Sequence, residues 1–253
     1  LSLTACGAPK TETLDIFSMD TYMSLVAVGD GAFDVLQQTA NEINTLEQRL
    51  SRTIDTSDVA QLNANGTAVL SNDTAALLRS ALEYSAETNG AFDVTIAPLV
   101  ALWGITSDDP RVPSQEEIDA LLPLVGGGHV HMDDAVTLDA GCAVDLGGIA
   151  KGYASDRVME LYREYGVTSG MVSLGGNIET LGTKPDGSSW KIGIRNPEIT
   201  SGSGSGTEEV LLALEVENQA VITSGGYERY FEQDGVKYHH IIDPSTGHPA
   251  NNG

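Results

Sequence analysis

The sequence predicts an α+β fold, on three observations. Apolar residues recur with helical spacing in some stretches and form short alternating or continuous runs in others. The two kinds of stretch follow one another without a regular strand–helix–strand beat, which argues against a doubly wound sheet. The chain has 253 residues and is 41% hydrophobic, enough to bury a substantial core.

The elements follow in order. Residues 15–29 read as a strand leading into the turn Gly29-Asp30-Gly31. From Phe33, apolar residues at Leu36, Ala40, Ile43, Leu46 and Leu50 form a helical stripe. Ser71 or Asn72 can cap a second helix carrying Leu77, Leu78 and Ala81, stopped by Asn89-Gly90. Ser114 with Glu117 is a capping-box pattern ahead of Ile118, Leu121 and Leu122. Lys151 to Tyr165 reads as a further helix, closed by Gly166. Strand candidates are 129–138, 170–174, 190–194, 209–216, 219–223 and 236–242. Ser201-Gly202-Ser203-Gly204-Ser205-Gly206 reads as a flexible surface loop; it lacks the Lys and the following helix of a phosphate loop. No internal repeat is visible.

Charge limits the partners. Lys and Arg number 13 against 36 Asp and Glu, a formal charge of -23. Such a surface repels nucleic acid and anionic lipid headgroups. An anionic substrate would need a metal cation or a local cluster of donors. No stretch is long and apolar enough to span a bilayer. Of the two cysteines, Cys6 lies in Leu3-Thr4-Ala5-Cys6-Gly7, which resembles a bacterial lipobox whose cysteine becomes lipidated. Residues 1–13 are then a lipobox remnant and polar tether, and residues 14–253 the domain. Cys142 is expected to be a small core residue, with a Cys6–Cys142 disulfide the alternative.

Several local patterns carry chemistry. Near the carboxyl end an apolar run breaks into Thr223-Ser224-Gly225-Gly226-Tyr227, and a second ends in His240-Ile241-Ile242-Asp243-Pro244-Ser245-Thr246-Gly247. Amides and hydroxyls freed at strand ends can receive phosphate oxygens, and a nearby His–Asp pair can move a proton. Together they point to chemistry on a phosphate ester or anhydride. In Asp145-Leu146-Gly147-Gly148-Ile149-Ala150-Lys151, a strand ends in an acid, a turn follows, and a Lys sits in the first helical turn, where it opposes the dipole. That conflict favours an anionic ligand over a plain strand–helix joint. Gly90-Ala91-Phe92-Asp93-Val94-Thr95 leads to Trp103; it reads as a helix–turn–strand joint with a buried Trp, except that Asp93 among apolar residues needs donors from backbone or ligand. Ser173-Leu174-Gly175-Gly176-Asn177 reads as a turn. His129 and His131 share one strand face and read as solvated, since no third metal ligand is in view. His239 and His240 point to opposite faces of their strand, so one of the two is expected to be functional, and His248 is expected in solvent.

These blocks, together with Met19-Asp20-Thr21-Tyr22 and Leu50-Ser51 followed by Ser57 and Asn63, are similar in content and order to the FAD:protein FMN transferase family, the ApbE-like flavin transferases. The resemblance covers about residues 15 to 253. It implies a T-fold-like α+β domain with mixed sheets and packed helices. It implies Mg2+-dependent transfer of FMN from FAD to a Thr or Ser hydroxyl of an acceptor redox protein of the envelope or membrane, with AMP leaving. By the same resemblance, flavin and adenosine contacts fall on Met19, Thr53, Ala91, Phe92, Asp93, Asp145, Lys151 and Ile242. The Gly148 carbonyl is then a Mg2+ ligand, His240 the general base, and Asp243 the residue that orients His240 or its loop. A lipid anchor on Cys6, at the outer face of the cytoplasmic membrane or in the periplasm, fits the same family. Thr53 stands where the family commonly has larger or amide side chains. The family also continues past the position of Gly253 with a strand and helix whose Asp and nearby Thr or Ala complete the metal site, so this sequence is expected to be a fragment. The competing expectation is an envelope lipoprotein that holds FAD without cleaving it. A solute-binding lipoprotein would show two similar lobes and a hinge, and the sequence shows neither.

Overall fold

The computed structural model describes residues 9–197 and 210–251. The lipidation expected at Cys6 and the loop expected over Ser201–Gly206 lie outside the described residues. In chain order the elements begin with β1 (Thr11–Ser18), β2 (Thr21–Val28), α1 (Ala32–Leu50), α2 (Asp58–Asn65), β3 (Thr67–Ala68), α3 (Asn72–Glu87), α4 (Ala97–Trp103) and α5 (Gln115–Leu121). They continue with β4 (Val130–Met132), β5 (Val136–Leu138), α6 (Ala150–Glu164), β6 (Gly170–Leu174), β7 (Asn177–Leu181), β8 (Trp190–Arg195), β9 (Val210–Val216), β10 (Ala220–Ile222), β11 (Tyr230–Gln233) and β12 (Val236–His239). Helices and antiparallel sheets alternate irregularly, so the fold is α+β. The chain forms two compact units, one of Leu1–Thr45 and Lys151–Ser224, the other of Leu46–Ala150 and Gly225–Gly253.

The first unit is built on a five-stranded sheet in the order β1-β2-β6-β7-β10. The single strand expected over 15–29 is instead a hairpin, with Ser18 opposite Thr21. Its two turn residues, Met19 and Asp20, have φ of 49° and 57°. A two-residue turn that twists with its strands needs positive φ at both positions, and Asn-Gly is the usual signal. Met-Asp gives no such signal, so the turn was invisible in the sequence. The next hairpin does carry its signal: Leu174 pairs with Asn177 across Gly175 and Gly176, both at positive φ.

Register fixes the two faces of this sheet. Leu25 lies opposite Val172 and Met23 opposite Leu174, and all four are buried. Gly170 continues that face, and the Tyr162 ring of α6 sits where its Cβ would be, 2.8 Å away. Ala154, Val158 and Tyr162 recur at four-residue spacing on α6 and are fully buried, as a helical stripe requires. The Arg157–Glu42 ion pair joins α6 to α1. On the other face the β8–β9 ribbon buries Trp190, Ile192 and Val216 against Val26, Met171, Ile178 and Val221.

The Tyr162 hydroxyl is buried without a hydrogen-bond partner among the described residues, and burial pushes its ionisation well up. An unpaired buried hydroxyl costs about 1–3 kcal/mol. Tyr162→Phe, which keeps the ring against Gly170, is therefore expected to leave the thermal midpoint unchanged or raise it by about 2–4 °C. A fall in the midpoint on calorimetry would show that the hydroxyl has a partner.

The second unit holds α2 to α5, the small sheet β3-β5-β4 and the hairpin β11–β12. Its core centres on Leu99, Trp103 and Ile118, with Ile96, Phe231, Tyr238 and Ile242 packed around them. The expected caps are present. Ser71 accepts from the Thr74 amide, and Ser114 and Glu117 close a full capping box. The Arg111 fork and Ser114 hold the Glu117 carboxyl down to about 2. Three sequence expectations change. The joint after Gly90 leads into a short 3-10 turn and then α4, with Pro98 in its first turn and Gly104 closing it. The stretch 129–138 is a hairpin rather than one strand. The segment ending at Asp145 is not a strand: the Asn63 side chain donates to the Val144 carbonyl and accepts from its amide, both at 2.8 Å, in place of a partner strand.

Candidate functional site

The carboxyl-terminal motif is a tightly bonded turn. Asp243 Oδ1 accepts from the Ser245 amide at 2.8 Å and from its hydroxyl at 2.7 Å. The Asp243 carbonyl accepts from the Thr246 and Gly247 amides, and its own amide donates to the His248 carbonyl. Those Ser245 bonds, hydroxyl first and amide second, hold the Asp243 carboxyl below its usual range. Gly247 has φ of 73°, and a Cβ there would meet Ile118 at 2.6 Å, so only glycine fits. The Trp103 indole donates to the Gly247 carbonyl at 2.7 Å and ties the turn to the core. The Asp243 carboxylate and carbonyl thus brace the turn that follows it. Ile242 forms an antiparallel bridge with Pro249, just before this turn.

The two neighbouring imidazoles are used differently. His239 has both nitrogens engaged, Nε2 donating to the Ala250 carbonyl at 2.7 Å and Nδ1 accepting from the Ile241 amide at 3.3 Å. It is structural. His240 lies just past the end of β12, with its amide donating to the Arg229 carbonyl at 3.1 Å and its Nδ1 within 3.2 Å of the same oxygen. A carbonyl only accepts, so Nδ1 carries a proton in this contact. His248 is not simply in solvent: it contacts Gln115 Oε1 at 3.0 Å and packs edge-on against Trp103.

Residues of the Gly-rich segments come together in the same unit. Phe92 lies over Gly148, where a Cβ would approach the ring at 3.0 Å. Asp93 is buried, and its carboxylate accepts from the Thr95 amide, the Thr95 hydroxyl and the Ser85 hydroxyl. The donors that its burial requires are therefore protein groups, as the sequence allowed. Ala91 begins this loop, its amide bonded to Thr88. The Asp145 amide donates to the Val94 carbonyl at 2.7 Å, and Asp145 Oδ1 accepts from Gly147 at 2.7 Å. Arg52, which sequence reasoning missed, forms an ion pair with Asp145 Oδ2 at 2.9 Å. Its signal was its rarity, a cation two residues past the end of α1 in a chain of strongly acidic balance. Beside it, Thr53 is held by Ser51, which accepts from the Thr53 and Ile54 amides.

In the first unit, Met19 occupies the β1–β2 turn, at the positive φ that the hairpin requires. Lys151 lies in the first turn of α6, and its carbonyl accepts from Ser155. His129 and His131 do have an acidic neighbour: each contacts one oxygen of Asp139 at 2.9 Å, which lowers the Asp139 ionisation. Among the described residues, however, no group of His, Cys, Asp and Glu side chains is arranged to hold a metal ion, there or elsewhere. The described side chains alone do not make a Mg2+ centre. Cys142 is a buried free thiol, and burial pushes its ionisation up.

A crystal structure of the ApbE protein of Thermotoga maritima superposes with a TM-score of 0.88 at 34% identity, covering 95% of this chain and 79% of that one. The apo flavinyl transferase ApbE of Pseudomonas stutzeri matches with a TM-score of 0.83 at 30% identity, over 98% and 78% of the two chains. A FAD:protein FMN transferase of Treponema pallidum is 35% identical over 93% of this chain and 67% of its own length. One of Klebsiella pneumoniae is 38% identical over 70% of this chain and 53% of its own length, so the matched part spans about half to two thirds of these relatives. The ApbE family model matches residues 19–253, and the chain belongs to the ApbE family.

Proposed function

We propose that this chain carries out flavin transfer, moving FMN from FAD to a Thr or Ser hydroxyl of an acceptor protein and releasing AMP. The observation that carries the reading is the match of the ApbE family model to residues 19–253, and the His240 imidazole, held beside the Arg229 carbonyl, is its candidate base. Support also comes from relatives named FAD:protein FMN transferase. In this reading Nε2 takes the acceptor hydroxyl proton, the hydroxyl oxygen bonds to the FMN phosphorus, and the bridging P–O bond breaks toward AMP. Phe92, Asp93, Asp145 and Ile242 contribute to holding the dinucleotide, as do Met19 and Lys151. The Gly148 carbonyl would give one oxygen to a Mg2+ ion, whose charge offsets that of the pyrophosphate. The acceptor is a redox protein of the envelope, and the motif around Cys6 supports a lipid anchor there. No described helix is long and apolar enough to cross a membrane.

The test is incubation with FAD, with and without Mg2+, followed by chromatographic separation of FMN and AMP. Mg2+-dependent formation of both supports the reading. FAD that binds and stays intact favours the FAD-holding alternative, and absence of binding overturns both. Lys151→Ala is expected to weaken FAD binding about tenfold, roughly 1.4 kcal/mol, through loss of a cation that serves the phosphates. Unchanged affinity in a fluorescence titration would return Lys151 to a surface role.

A further inference from the structure

We infer that Arg52 is a positioning residue for the flavin dinucleotide, acting through Asp145; this rests on the flavin-transfer reading of the site. The Asp145 carboxylate is fixed on both oxygens. Oδ1 accepts from the Gly147 amide at 2.7 Å, and Oδ2 faces the Arg52 Nε at 2.9 Å. A carboxylate has about four acceptor positions, so two anchors set its plane and leave lone pairs for hydroxyl or amide donors of a ligand. The backbone around it is held as firmly. Asn63 brackets Val144 by two bonds, the Asp145 amide is tied to Val94, and any side chain at Gly147 would come within 2.9 Å of Asp145 Oδ1.

Arg52 is itself held on a braced loop. The Ser51 hydroxyl accepts from the Thr53 and Ile54 amides, and the buried Ser57 hydroxyl donates to the Ser51 carbonyl and caps α2 through the Ala60 amide. Such a loop delivers the guanidinium at a fixed place. Arg52 and Asp145 keep 30% and 18% of their side-chain surface. A part-buried pair that solvent still reaches contributes on the order of 1 kcal/mol to stability. Its effect is on where the carboxylate points, and so on binding.

The experiment is a double-mutant cycle read by FAD affinity, with thermal midpoints measured alongside. Arg52→Met is expected to weaken FAD binding about tenfold with a midpoint within about 4 °C of the parent. Arg52→Lys, whose ammonium can still reach Asp145, is expected to recover affinity to within about threefold of the parent. Arg52→Met combined with Asp145→Asn is expected to bind no more weakly than Asp145→Asn alone, since the two residues act as one unit. Parent-like binding by Arg52→Met, or losses that simply add, would overturn the inference while leaving the flavin reading intact. Failure of the parent chain to bind FAD would overturn that reading and this inference with it.

Discussion

His240→Ala is expected to lower FMN transfer by about 10²–10⁴-fold while leaving FAD affinity within about twofold of the parent. The expected size is that of a lost general base, and the split follows from geometry. The ring is tied to the protein through Nδ1 and the Arg229 carbonyl, which holds the imidazole in place by a bond separate from that of its backbone amide. The backbone that passes the site is held by other groups: the His240 amide to Arg229, and the next residues through the Ile242–Pro249 bridge and the Asp243 turn. Removing the imidazole should therefore leave the dinucleotide contacts in place. His239→Ala is the informative control. It removes a ring whose two nitrogens bond the Ala250 carbonyl and the Ile241 amide, so it should lower stability and FAD affinity together. Parallel measurement of FAD Kd and single-turnover transfer separates the two patterns. Equal losses of affinity and transfer in His240→Ala would remove it from the chemistry.

The sequence made the helices legible where a cap and a stripe coincided. Ser71 and Ser114 cap α3 and α5 as their patterns require, and the stripe from Leu36 to Leu50 buries the expected side chains of α1. Elements were lost where the determining contact was distant. Val144 has a strand-like sequence, but its hydrogen bonds go to the Asn63 side chain, 81 positions away. The turn at Met19-Asp20 is imposed by the long β1–β2 register against its own residue preferences. The site divided in the same manner. Contiguous motifs offered Asp145, Gly148, His240 and Asp243 as candidates. The Arg52–Asp145 pair joins positions far apart in the chain, and no local pattern announces it. Nor could local sequence decide between His239 and His240. That depended on which ring found partners on the returning segment at Ala250.

Trp103→Ala is expected to destabilise the protein by about 3–5 kcal/mol, the range for emptying a well-packed aromatic site. Trp103 is fully buried and packs with Leu99, Ile118 and the ring of Tyr238. The substitution also deprives the Gly247 carbonyl of the indole N–H, a loss distinct from the cavity. Trp103→Phe divides the two contributions, because it keeps much of the ring and loses the donor. It should cost about 2 kcal/mol, less than alanine. The functional consequence should not follow stability alone. Gly247 closes the turn that begins at Asp243, directly after His240 and Ile242, so freeing its carbonyl loosens the segment that carries the proposed base. Transfer measured well below the unfolding midpoint is therefore expected to fall in Trp103→Phe even though the enzyme remains folded. Full activity in a folded Trp103→Phe would mean that the Asp243 bonds to Ser245, Thr246 and Gly247 suffice to hold the turn, and that the indole serves the core only.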